Sequence, residues 1–185
     1  QLRAVGAASD GVYESLSDDP HCRLEPRRRG ALASLPGGEY EVCAIILGIH
    51  GSIQGPELHI DFGAGIGGEG GMRIALQAVG EGAYAASFGA SRPIAALRLD
   101  PTNRNGKLVL GPIWIQRKSE TAAPWPRWVK ALLRLIDWTM PPSLSRCRWK
   151  AEMLVRLAGS KASAATIAQC ALSDPDRQAI AGRLQ

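Results

Sequence analysis

The stretch 59–71 reads HIDFGAGIGGEGG, and in it Gly63, Gly65 and Gly68 fit G-x-G-x-x-G after a strand-like run. In a dinucleotide-binding protein such glycines turn a strand into a helix whose N-terminal N–H groups and dipole hold a pyrophosphate. Here Glu69, Gly70 and Gly71 follow. They start a helix poorly and set a carboxylate where phosphate would sit. The apolar residues that come next, Met72, Ile74 and Leu76, repeat at every second position, the strand period. Gly80 and Gly82 then close the run well short of the dozen or so residues that a parallel crossover needs. A loop between two strands is expected, and no cofactor.

Other residues carry chemistry in pairs. His59 and Asp61 share one face of ELHIDF, yet no third ligand is spaced to complete a metal site with them. Arg98 and Asp100 share the outward face of IAALRLD. A guanidinium and a carboxylate can each make two hydrogen bonds to ligand hydroxyls. They fit equally a turn at Asp100-Pro101-Thr102-Asn103, capped by the aspartate, with Arg98 paired to a cross-strand acid. Trp114 points outward if Ile113 and Ile115 face the core, either to stack on a sugar ring or to lie under the C-terminal helices. Tyr40 and Tyr84 are weaker aromatic candidates. Asp174-Pro175-Asp176 spells the D-x-D of many metal–nucleotide sites, but Asp followed by Pro is also how a helix begins. Without a P-loop lysine, a Ser/His/Asp set or a Cys/His set, no catalytic group is complete.

The segments that must position these residues read as short strands up to residue 118. EYEVCAIILGI (39–49) follows the turn Pro36-Gly37-Gly38 and suits a central strand buried on both sides. ELHIDF (57–62), GMRIAL (71–76), AYAASF (83–88), IAALRLD (94–100) and KLVLGPIWIQ (107–116) follow, with GVYESL and ALASL as weaker candidates. Gly111-Pro112 marks a kink or bulge at an edge. Short strands at near-regular spacing, rich in the 21 glycines and 12 prolines of the chain, predict a mainly β fold. The expected architecture is an antiparallel β-sandwich, jelly-roll-like, over 1–118, with a small α-helical appendage or linker to a further domain over 119–185.

That appendage holds the positive charge. Residues 121–185 carry ten Lys/Arg and four Asp/Glu, whereas 1–120 are near neutral. PWPRWVKALLRLIDW predicts an amphipathic helix that begins near Pro124 or Pro126 and ends before Pro141-Pro142. Trp125, Val129, Leu132 and Ile136 form its apolar stripe, widened by Trp128 and Leu133. Arg127, Lys130 and Arg134 lie opposite, with Trp138 near them. Such a helix packs on the sandwich or lies on an anionic membrane surface. Further helices are expected over 143–158, capped by Ser143 or Ser145, then in KASAATIAQCAL, and from Asp174 onward. No nucleic-acid pattern is visible. The cysteines at 22, 43, 147 and 170 lack zinc spacing, which suits free thiols in a reducing compartment; a Cys22–Cys43 bridge would need an oxidising one. QLRAVGAASDG has neither a signal core nor an initiator Met, so a piece of a longer protein is expected.

LPGGEYEV, LHIDFGAGIG and IAALRLDPTNRNGKLVLGPIWI occur here in an order that resembles the β-sandwich accessory modules attached to bacterial cell-surface polysaccharide glycosyltransferases. The likeness covers about residues 30–117 and is sharpest at Leu97-Arg98-Leu99-Asp100-Pro101. Related modules often carry Trp where this chain has Glu39-Tyr40, and an aromatic where it has Ile66. The resemblance implies a non-catalytic module beside a transferase domain, cytoplasmic or peripheral to the inner face of the membrane. Its partners would be a glycan, the adjacent domains and an anionic membrane surface. The glycan-binding residues expected are Arg98, Asp100, Trp114, His59, Asp61 and Tyr40; those for the membrane surface are Trp125, Arg127, Trp128, Lys130, Arg134 and Trp138. The alternative is a structural, membrane-docking segment without a ligand of its own.

Overall fold

The computed structural model describes residues 2–3, 5–7, 12–15, 21–24, 35–48, 53, 55–65, 69–103, 106–118, 125–158 and 162–182. The described residues are strand-rich, with two antiparallel sheets followed by four short helices. The first sheet orders β1 (Leu2–Arg3), β4 (His21–Leu24), β10 (Ala96–Asp100), β6 (Glu57–Asp61) and β7 (Met72–Ala75). The second orders β2 (Val5–Ala7), β3 (Val12–Ser15), β11 (Gly106–Arg117), β5 (Gly38–Gly48), β9 (Ala83–Ala90) and β8 (Gln77–Gly80).

Period-two alternation decides which side chains meet. Leu58 and Ile60 of β6 and Leu97 and Leu99 of β10 turn to one side of the first sheet. There they join Tyr40, Val42, Ala44 and Ile46 of β5 and Leu108 of β11 in one apolar cluster. The odd residues of β5 face away from it. Ile45 packs with Val109 against Val129, Leu133, Leu154 and Ile167, while Cys43 meets Ala164 and Ala168. β5 is thus buried on both faces, which is why 42–46 read as an unbroken apolar run.

The helices are α1 (Arg127–Thr139), α2 (Leu144–Ala158), α3 (Ala164–Ala171) and α4 (Asp174–Gly182). Ser143 Oγ accepts from Arg146 N at the start of α2, and Ser163 Oγ from Thr166 N at the start of α3. α4 begins at Asp174, as its sequence suggests, but its cap lies one residue earlier. Ser173 O accepts from Arg177 N, and Asp176 accepts from Ser173 Oγ, so Ser173 rather than Asp174 is the cap.

Three details depart from the sequence reading. The alternating run after Gly71 is two strands rather than one. At Leu76, whose N–H bonds Pro56 O, the chain leaves the first sheet as β7 and enters the second as β8. β1, β2 and β4 were unforeseen; β4 pairs with β10. Gly111-Pro112 do form a bulge, between Leu110 and Ile113, but in a strand flanked by β3 and β5. Proline is tolerated there because β3 pairs only with 106–109, so the far half of β11 has one paired neighbour. Of ALASL, only Leu35 is described; it bridges Ile94. Gly68, Ile66 and the Gly159-Ser160 pair lie outside the described residues.

Candidate functional site: a polar cluster on the first sheet

The glycine motif connects β6 to its antiparallel neighbour β7. Asp61 holds the start of that loop: its Oδ1 accepts from Gly63 N at 2.8 Å and from Gly65 N at 2.9 Å. Both glycines have positive φ, 111° and 94°, which a side chain would strain. Asp61 therefore shapes the turn. It does not pair with His59, although the two share a strand. Phe62, next in the motif, lies under the Arg92 guanidinium, 5.2 Å from the ring centre.

His59 instead reaches across to β10. The register sets Arg98 opposite His59 and Asp100 opposite Glu57, and β7 sets Arg73 opposite His59 on the other side. Asp100 Oδ2 lies 2.6 Å from Arg98 Nη2 and 2.9 Å from His59 Nε2. Glu57 lies 3.6 Å from His59 Nε2 and accepts a hydrogen bond from Arg73. The outward face thus carries two carboxylates, two guanidiniums and an imidazole in one network. Arg98 pairs with Asp100 two positions along its own strand, not with a cross-strand acid.

The network leaves hydrogen-bonding capacity unused. Asp100 Oδ1, Arg98 Nε and His59 Nε2 are buried without a hydrogen-bond partner among the described residues. His59 Nε2 lies close to Asp100 Oδ2 without a hydrogen bond between them. Buried polar atoms are nearly always satisfied; three of the six unpartnered ones among the described residues fall in this patch, and Trp114, Gln116 and Trp125 hold the others on the helix side. The side chains of Asp100 and His59 are 10% and 16% exposed.

Two expected aromatics are not part of this patch. Tyr40 is buried in the apolar cluster, stacked on Phe88, and its hydroxyl donates to Pro36 O. Trp114 does face away from the first sheet, but the helices cover that side, and it packs into both helix-side clusters. Tyr84 is half-buried and packs on the same apolar cluster.

A second charged cluster lies in the helical segment and was not legible as a site. Arg146 and Lys150 of α2 and Asp176 of α4 are fully buried. Asp176 accepts from Arg146 Nε at 2.7 Å and from Lys150 Nζ at 2.8 Å, and Lys150 also donates to Asp137 of α1 at 2.8 Å. Arg146 further donates to the carbonyls of Asp137 and Met140 at the end of α1. Burial alone would push the Asp176 carboxyl up, but the hydrogen bonds from Arg146, Lys150 and Ser173 outweigh it and hold it below its ordinary value. The D-x-D spelling therefore does not present two carboxylates together. Asp176 is locked among cations, while Asp174 is exposed on Arg177, at the rim of a cleft of about 400 Å³ between the β8–β9 turn and α4.

Cys43, Cys147 and Cys170 are free, so Cys43 forms no bridge. Among the described residues no cluster of His, Cys, Asp and Glu could hold a metal ion. No helix among them is long and apolar enough to cross a membrane. No protein-family model matches the chain, and no curated protein or solved structure matches it significantly.

Proposed function

We propose that the chain is a non-catalytic accessory module of a polysaccharide-building glycosyltransferase, with its two sheets packed as a jelly-roll-like sandwich that meets glycan through the outer face of β6 and β10. The observation that carries the reading is the pairing of the two motifs behind the resemblance. Leu58-His59-Ile60-Asp61 and Leu97-Arg98-Leu99-Asp100-Pro101 lie on adjacent antiparallel strands, with Leu97–Leu99 opposite Ile60–Leu58, and His59 Nε2, Arg98 Nε and Asp100 Oδ1 on their outer face are unmet among the described residues. Planar groups of this kind suit the paired hydroxyls of a sugar ring. The atoms are covered, so a hydroxyl meets them by displacing a neighbouring side chain. With Trp114 and Tyr40 turned elsewhere, the patch has no stacking platform from the expected set. A few hydrogen bonds without stacking support a dissociation constant on the order of millimolar.

The test is an NMR titration of the 185-residue chain with acidic and neutral oligosaccharides. Shifts at Arg98, Asp100 and His59, lost in Arg98→Ala and in Asp100→Asn, support the reading. Saturating sugar that leaves the β6 and β10 amides unmoved overturns the glycan contact.

A further inference from the structure

α1 has three faces instead of the two its sequence suggests. Val129, Leu133 and Ile136 are buried against α2 and the second sheet. Trp128, Leu135 and Trp138, seven and three residues apart, form a second stripe, and they are 56%, 52% and 84% exposed. Arg127, Lys130 and Arg134 form a third, exposed and directly beside the tryptophans. At about 100° per residue the exposed apolar stripe spans about 80° of the helix and the basic one about 60°. Trp125, placed in the apolar stripe by its spacing, precedes the helix and packs half-buried on the helix-side core.

Nothing among the described residues explains the basic stripe. None of its three cations is in an ion pair with a described carboxylate. Asp137, the only acid of α1, is turned to Lys150 and Arg146. Arg127 and Lys130 stand near the N-terminus of a helix that has no side-chain cap and no acid in its first turn, where positive charge opposes the helix dipole. Lys130 and Arg134, four apart, also repel each other. Charge held against the helix's own electrostatics, beside two well-exposed tryptophans, calls for an anionic counterpart with an apolar interior.

We propose that this face docks on an anionic lipid bilayer, with α1 parallel to the surface. Trp128, Leu135 and Trp138 enter the headgroup region and the three cations meet lipid phosphates. The buried face stays on the protein, so docking requires no unfolding. Indole rings favour this depth because one edge is polar and the body apolar. The proposal concerns a different surface from the glycan patch and stands or falls without it.

The test is flotation of the 185-residue chain with vesicles of phosphatidylcholine alone and of phosphatidylcholine mixed with phosphatidylglycerol. Binding is expected only to the mixed vesicles, weakening as salt rises. The triple variant Arg127→Glu/Lys130→Glu/Arg134→Glu is expected to lose at least about a hundredfold in partitioning, from about fivefold per neutralised charge. Arg127→Lys/Arg134→Lys is expected to keep it. Trp128→Ala/Trp138→Ala is expected to weaken binding with the melting temperature unchanged. Equal binding to both vesicle types, no binding to either, or full binding by the triple variant overturns the proposal. So does gel filtration in which Trp138→Ala turns an oligomer into a monomer while the parent chain ignores vesicles, since the face would then serve a second copy.

Discussion

Asp176→Asn separates the two candidate sources of cohesion in the helical segment, apolar packing and the buried charges. Arg146, Lys150 and Asp176 are 1%, 0% and 0% exposed, and with Asp137 the four charges balance. Asparagine keeps the shape and one acceptor but removes a charge. Arg146 and Lys150 are then left to share Asp137, at 3.7 Å and 2.8 Å. Removing one partner of a buried pair costs about 3–5 kcal/mol, because the remaining charge stays desolvated. Set against a total stability of about 5–15 kcal/mol, that is a heavy loss. For a chain of this length it lowers the melting temperature by roughly 6–20 °C. Urea unfolding followed by far-UV circular dichroism should show a lower midpoint at unchanged slope. Asp174→Asn is the control. Its side chain is 77% exposed although it pairs with Arg177, so it should cost less than about 1 kcal/mol. Adding Lys150→Met to Asp176→Asn leaves Arg146 balanced by Asp137 and should recover part of the loss, a non-additivity that a double-mutant cycle reads directly. The reasoning fails if Asp176→Asn costs no more than Asp174→Asn, or if the double variant is additive.

The same carboxylate sets an acid limit. Its folded pKa lies below the ordinary 3.8, so the native state binds this proton less readily than the unfolded chain. The stability it contributes is present above about pH 4 and is lost as the pH falls through the folded value. Urea midpoints measured across that range should fall more steeply for the parent chain than for Asp176→Asn.

Other expectations follow from single contacts. Glu41 of β5 accepts from Ala164 N at 2.8 Å, so a strand carboxylate caps α3; Glu41→Ala should cost about 1–2 kcal/mol in urea unfolding. Burial pushes the Cys43 and Cys147 thiols up to about 12, so peptide mapping after maleimide treatment at pH 8 should find both unlabelled until urea is added. A Cβ at Gly111 would stand 2.8 Å from the Ile45 side chain across the bulge, so Gly111→Ala should cost about 1–3 kcal/mol by overpacking in the same unfolding assay.

What could be read in the sequence follows from how local each signal is. Strands β5, β6, β9, β10 and β11 were legible because alternation and glycine-rich turns act within a few residues, and the double burial of β5 showed as an apolar run. The passage from β7 to β8 was not. An alternating pattern reads the same in either sheet, and the change depends on one bond from Leu76 to Pro56. Trp114 shows the same gap. Its parity put it on the outer face correctly, but whether solvent or helix covers that face depends on residues beyond 125.

The ionic cluster lay further out of reach, because its members come from three helices and mean nothing singly. A signal was present all the same. Arg146 and Lys150, four apart, fall within the arc that also carries Cys147 and Leu154, where an exposed helix face would not place them. Two cations inside an apolar arc require two acids from elsewhere, and the segment has only four carboxylates to offer. Glu152 is exposed, and Asp174 stands beside the helix cap. Asp137 and Asp176 remain, and the fold uses both. The consequence is electrostatic as well as structural. Once Arg146 and Lys150 are neutralised inside, eight of the ten cations of this segment remain, and Arg127, Lys130 and Arg134 stand together on one exposed helix face, which is why reversing those three charges should weaken an attraction that the net charge would ascribe evenly to the whole tail.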